Sequence, residues 1–402
     1  MAASPSSDSA LTLLTGAEIF APEPLGVRSI LVGGGRVLWI GAGEPDDALT
    51  AALPGLELER VDLAGLRLIP GLVDSHAHLA GGGGEAGYAS RVPTPPLSHY
   101  TRAGVTTSVG VLGTDDTVRS IDELLAVARG LREEGLTTYI WTGGYHYPPR
   151  TLTGSVRGDI AHLDLCLGVG ELAISDHRSS QVTLDEFLRV ASDCHVAGLM
   201  TGKPGLLHLH LGDGERGLEL VKLALDASEL PPSCFYPTHI NRKRALFEEA
   251  LEVAGEGVPV DVTAFPTVEG EDELSSVDAV RGFFEAGLPD ELLTVSSDGG
   301  GCLPRFDENM QPVGFDVGDA RELLRTVSAL CDAGLPLERA LGPVTCHPAD
   351  RLKLGSKGRI TVGADADLVS IDERCHVRDL WAHGKRHLAS GELVRRGRFE
   401  AP

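Results

Sequence analysis

The sequence predicts an α/β fold: a (β/α)8 barrel of the TIM type carrying a small β-sandwich built from both chain ends. Three observations predict it. Short apolar runs alternate with Gly-rich turns near both ends, strand-like and helix-like segments alternate through the middle, and polar residues gather at the ends of the middle strands. The expected units are residues 1–68 and 353–402 as the two parts of the sandwich, and residues 69–352 as the barrel.

The first zone, about Leu11 to Leu68, contains GVRSILVGGGRVLWIG, which is meander patterning and not helical. The last zone repeats that texture in GRITVGADADLVSID, VRDLWAHGKRH and GELVRRGRF, so the two ends are expected to pair in space. Between them lie eight strand candidates: RLIPGLVDSHAHL, GVTTSVGVLG, LTTYIWTGGY, CLGVGELAISD, GLLHLHLGD, CFYPTHIN, VPVDVTAF and LLTVSSDG. Segments with helical periodicity separate most of them, among them SIDELLAVARGLREEG, TLDEFLRVASDCHVAG and RALFEEALEVAGEG. Eight strands in this rhythm fit a closed barrel better than an open sheet, and in such barrels the reactive groups come from the C-terminal strand ends.

Composition narrows the function. The 402 residues are 42% hydrophobic and 23% charged, as in a soluble globular protein, and no apolar run is long enough to span a bilayer. A formal charge of −23 disfavours nucleic acids and anionic membranes, whose phosphates require clustered Lys and Arg. The seven cysteines are scattered, and the first 27 residues contain no Lys or Arg. These two features predict a reducing, cytoplasmic setting without a secretory or transit leader.

Metal-binding residue types recur at the predicted strand ends. His76 and His78 in VDSHAHL are two apart, so on a strand both imidazoles point to one side. Alone, such a pair fits polar strand-end residues equally well. His210 in HLHLGD, His239 in PTHIN and Asp298 in SSDGGG add imidazole and carboxylate ligands suited to zinc or a similar divalent ion. His208 shares a strand face with His210 but lies deeper, as a core residue or a support to the ligands. His99, His162, His195, His347, His376, His383 and His387 lie off the strand ends and are expected to be surface or packing histidines.

With these motifs in place, a resemblance becomes specific. LIPGLVDSHAHL, HLGD, PTHINR, SSDG and GRITVGADADLV resemble the amidohydrolase superfamily. HLAGGGGEAG, GVLGTDD, TGGYHYPPRTLTGSVRGDI, AISDHRSS and GLMTGKPG are similar, more narrowly, to the bacterial isoaspartyl dipeptidases, and the likeness runs along nearly the whole chain. The resemblance implies two zinc ions per subunit. His76, His78 and Asp298 would hold one, and His210 and His239 the other. A carboxylated lysine normally bridges them, but the matching position here is Glu171. Two arrangements follow: the Glu171 carboxylate bridges both ions, or the site holds a single metal.

The resemblance also implies a hydroxide shared by the metals as nucleophile, Asp298 as general base and acid, and Tyr145 as donor to the oxyanion. Glu85 would bind the α-amino group of a β-aspartyl dipeptide, and Arg178 and Arg242 its carboxylates, with Thr114 adding a hydrogen bond. Cys302 stands where the family has a substrate-binding serine, and a thiol is the weaker donor. Homo-oligomers, octamers in particular, are implied as well. The alternatives are an amidohydrolase acting on N-acyl amino acids or cyclic amides, and a non-catalytic scaffold.

Overall fold

The computed structural model describes residues 11–43, 57–84, 86–267, 272–306 and 312–401. Among these residues, eight parallel strands follow one another in chain order: Leu72–Ala77, Val105–Gly110, Thr137–Thr142, Cys166–Ser175, Leu206–Leu211, Phe235–Thr238, Val260–Thr263 and Leu293–Ser296. The first six form one curled sheet and the last two a second. Backbone hydrogen bonds link the two sheets at both seams. Ile240 N–H donates to Asp261 O at 3.3 Å, Asp298 N–H to His76 O at 3.1 Å and His78 N–H to Gly299 O at 2.8 Å. This arrangement is consistent with an amidohydrolase barrel.

Period-two alternation sorts the side chains of these strands. Leu207, Leu209 and Leu211 of the fifth strand join the main core with Phe187 and Val190 of helix Leu184–Thr201. Leu206, on the other face, packs with Val73, Val109, Val111, Trp141, Leu167 and Tyr236 in a separate apolar cluster inside the curl. His208 and His210 share the Leu206 face, so they too point inward. The inner apolar cluster thus floors the cup in which the polar groups collect.

The helices begin and end where capping chemistry allows. Ser120 accepts a hydrogen bond from Glu123 N at the start of helix Ile121–Glu134, and Gly135 closes it at φ 113°. Thr183 and Glu186 form a reciprocal capping box at the start of helix Leu184–Thr201.

Both chain ends contribute to one nine-stranded sheet, in which Arg67–Pro70 lies between Leu11–Phe20 and Leu368–Ile371. Its strands enclose a further apolar cluster that includes Ile19, Ile30, Leu68, Leu368 and Trp381. One expectation needs correcting here. The run from Arg67 to Leu79, read as a single strand, is two: Arg67–Pro70 belongs to the end sheet and Leu72–Ala77 to the parallel sheet. Pro70 and Gly71 break the run, and an added Cβ on Gly71 would come within 2.1 Å of Thr106 Oγ1. A hairpin, Cys302–Phe306 with Pro312–Val317, follows the last parallel strand and has no counterpart among the expected elements.

Candidate metal centre

The first strand, Leu72–Ala77, carries His76, His78 follows its last residue, and both are buried. Their Nε2 atoms lie 3.5 and 3.1 Å from Asp298 Oδ1 and 3.7 Å each from Glu171 Oε1. The other Glu171 oxygen, Oε2, lies 2.7 Å from His210 Nδ1 and 3.4 Å from His239 Nε2. Glu171 therefore stands between two groups: His76 and His78, which also meet Asp298, against Oε1, and His210 and His239 against Oε2.

Two of these residues occupy strained backbone. His239 (φ 63°) and Asp298 (φ 51°) adopt left-handed conformations that side chains other than glycine rarely take. Gly318 sits so close that an added Cβ would come within 1.9 Å of Asp298 O.

The cluster fits a divalent cation. His76 Nε2 and Asp298 Oδ1 are buried without a hydrogen-bond partner among the described residues, a costly state that a cation would relieve. His76, His78 and Asp298, and separately His76, Glu171 and His239, offer ligand atoms close enough to share one ion. Room for it is kept by Gly113, at φ 75°, where a Cβ would intrude to 2.6 Å from His78 Cε1 and 3.4 Å from Glu171 Oε1.

Electrostatics agree with this reading. Burial would raise the Glu171 carboxyl, but His76 and His210 more than offset it and hold it well below the ordinary range. Asp298 is likewise held low against its burial by His76 and His78. Burial pushes His76 down, yet Glu171 and Asp298 draw it up to about 9, so a proton occupies the position a cation would take. Burial, aided by Arg242, lowers His239 to about 3 and leaves it a neutral ligand.

A ring of groups orients the ligands. Asp176 Oδ2 accepts from His210 Nε2 at 3.0 Å, which turns the His210 Nδ1 towards Glu171. Thr263 Oγ1 meets His239 Nδ1 at 2.6 Å. Asp74 accepts from the Ser297 amide at 3.1 Å and the Ser297 hydroxyl at 2.6 Å, tying the first strand to the residue before Asp298. Sequence reasoning missed Asp176, Asp74 and Thr263. The carboxylates lie within the quoted motifs AISDHR and VDSHAHL, but nothing local marks them as partners of histidines on other strands.

The expected substrate residues lie around the same centre, with one exception. The Tyr145 hydroxyl is 2.9 Å from His210 Nδ1 and 3.0 Å from its Nε2, and burial followed by the Glu171 charge raises its pKa well above the ordinary value, keeping it a proton donor. Arg178 lies over the Tyr145 ring at 5.3 Å and is anchored on Asp176 by contacts of 2.9 and 2.6 Å. The Arg242 amide donates to His239 O at 3.1 Å. Thr114 is half-buried immediately after Gly113. Cys302 is half-buried with its Sγ beside Gly83 in the loop after the first strand. Glu85 lies outside the described residues.

No protein-family model matches the chain. The β-aspartyl dipeptidase of Fervidobacterium islandicum AW-1, solved in complex with β-Asp-Leu, does match it. The two are 41% identical, the match covers 96% of this chain and 98% of that one, and the TM-score is 0.89. The chain belongs to the β-aspartyl dipeptidase family of amidohydrolases. More remote amidohydrolases share the fold alone, such as a D-hydantoinase at 16% identity and TM-score 0.64, covering 96% of this chain and 97% of that one. The imidazolonepropionase of Salinispora arenicola is 36% identical over 144 residues, which spans about a third of each chain (33% of this one, 32% of that one). The β-aspartyl dipeptidase likeness thus joins 41% identity to coverage of nearly the whole chain.

Proposed function

We propose that this protein is a zinc-dependent dipeptidase that hydrolyses β-aspartyl dipeptides, with Glu171 bridging two ions. The observation that carries the reading is the convergence of four histidines on the two oxygens of one buried carboxylate, with Asp298 against two of them. Its β-aspartyl specificity is supported by the full-length likeness to the Fervidobacterium enzyme.

When bound, the metal pair supplies Lewis acidity and lowers the pKa of coordinated water from roughly 15.7 to about 7. Asp298 Oδ1 receives the proton of the attacking water and returns it to the leaving amine. The Tyr145 hydroxyl donates to the oxygen of the scissile carbonyl as charge develops there. Arg178, held by Asp176, and Arg242 bind the dipeptide's carboxylates in the guanidinium fork geometry. Thr114 and Cys302 add weaker polar contacts, and Glu85 takes the α-ammonium group.

The reading includes a closed barrel over residues 69–352, a sandwich from residues 1–68 and 353–402, and a cytoplasmic homo-octamer. Light scattering on the purified protein tests the octamer. The seven cysteines, all free, accord with a reducing compartment. Among the described residues, no helix is long and apolar enough to cross a membrane.

The test is hydrolysis of β-Asp-Leu beside α-Asp-Leu, by protein whose metal content is determined on the same sample. Cleavage of the β-linked dipeptide alone is expected. A zinc-loaded protein that cuts neither overturns the assignment, and a structure with Glu171 turned away from the ions overturns the bridge.

A further inference from the structure

His208 belongs to neither ligand group, yet its ring is fully buried and held on several sides. Trp141 stacks on it with centroids 5.0 Å apart at an interplanar angle of 23°. At Gly170 an added Cβ would come within 2.8 Å of the His208 Cβ. Its two nitrogens have defined partners: Nδ1 lies 2.9 Å from the Tyr236 carbonyl oxygen, and Nε2 lies 2.8 Å from His76 Nδ1.

These two contacts determine the placement of hydrogens. A carbonyl oxygen only accepts, so His208 Nδ1 carries a hydrogen and donates. No carboxylate forms an ion pair with His208 among the described residues, whereas Glu171 and Asp298 both lie against His76. The neutral His208 ring therefore offers its Nε2 lone pair, and the hydrogen in the 2.8 Å contact belongs to His76 Nδ1. In the neutral ring that would bind a cation, the His76 Nε2 lone pair is then the one directed towards Asp298 Oδ1 and Glu171 Oε1.

We infer that His208 is a positioning residue: with the Tyr236 carbonyl it forms a relay that fixes the tautomer and ring orientation of His76 for metal ligation through Nε2. This rests on the metal centre proposed above. The three supported ligands are then held by three different chemistries. Asp176 orients His210, Thr263 orients His239, and a second imidazole orients His76. A relay of neutral groups fixes direction without adding a further negative charge beside Glu171 and Asp298.

The test compares His208→Leu with His208→Gln. Leucine fills the space but cannot accept from His76. A glutamine amide can do both jobs, its Nε2 donating to the Tyr236 carbonyl and its Oε1 accepting from His76 Nδ1. Zinc affinity is read by chelator competition at one fixed pH, with the melting temperature of each metal-free variant measured separately. The expected result is zinc binding about 10–100-fold weaker in His208→Leu, the usual effect of removing such a support, and largely restored in His208→Gln. Leu binding as tightly as the wild type overturns the relay, and so does Gln losing as much as Leu. Should the Leu variant not fold, a zinc-loaded wild-type crystal structure decides: His76 ligating through Nε2 is expected, and ligation through Nδ1 overturns the inference. A wild-type protein that binds no zinc overturns the metal centre itself, a separate failure.

Discussion

Gly113→Ala should separate the demands of the metal centre from those of the backbone. Gly113 has φ 75°, and the new Cβ would lie 2.6 Å from His78 Cε1 and 3.4 Å from Glu171 Oε1. The left-handed backbone alone costs alanine roughly 1–2 kcal/mol. The collision adds to this, because His78 must rotate away from Asp298 Oδ1, now 3.1 Å from its Nε2. Loss of ligand alignment of this kind weakens metal binding by about 10–100-fold, or about 1.4–2.8 kcal/mol. Gly154→Ala is the control. Its φ is 91°, but nothing lies within 4 Å of the added Cβ, so it carries the backbone cost without the collision. Chelator competition for zinc, with melting curves of the metal-free proteins, reads both effects. Both variants should melt a few degrees lower, and Gly113→Ala alone should bind zinc more weakly. If Gly113→Ala binds zinc like the wild type, or if Gly154→Ala loses zinc equally, the steric argument fails.

Asp298→Asn should lower kcat on β-Asp-Leu by about 10²–10⁴-fold, the range for a general acid–base group, while the protein still folds by circular dichroism. Asp176→Ala releases both Arg178 and His210, so steady-state kinetics should show a raised KM together with about 10–100-fold weaker zinc binding. His387 is buried with neither ring nitrogen hydrogen-bonded among the described residues, and burial, helped by Arg395 and Lys385, lowers its pKa from 6.5 to about 4. A depressed folded-state value means that its contribution to stability is complete above pH 6.5 and is lost as pH falls towards 4. That amounts to about 3 kcal/mol at 1.36 kcal/mol per pH unit. Urea titrations of His387→Leu should lack this acid limb, and an unchanged pH profile would contradict the assignment.

Much of this architecture was legible because its signals are local. A two-residue spacing on a strand puts His76 and His78 on one side whatever the rest of the chain does, and the alternation of strands and helices is written in periodicity. Helix Leu184–Thr201 carries its own start in Thr183 and Glu186. What escaped depends on tertiary contact. Asp176 reads as one more polar strand-end residue until His210, from the next strand, arrives 3.0 Å away. The apolar run across Gly71 reads as one strand, because the sheet in which a residue pairs depends on partners that include Leu368–Ile371, some 300 positions later. Glu171 was found through its place in a family motif. Its place between His76 and His210 is visible only in the folded distances.

That distant pairing bears on how the molecule is made. Arg67–Pro70 is sandwiched between Leu11–Phe20 and Leu368–Ile371, and Gly71 alone separates it from the strand that carries His76 and leads into His78. During synthesis the parallel strands can emerge and curl while one side of Arg67–Pro70 still lacks its neighbour, leaving an open edge of unpaired amides. Its neighbour arrives only when residues 368–371 leave the ribosome. The strand bearing His76 is thus anchored last from the side that was translated last, and a nascent chain stalled before that point presents a sticky edge immediately beside the candidate metal ligands.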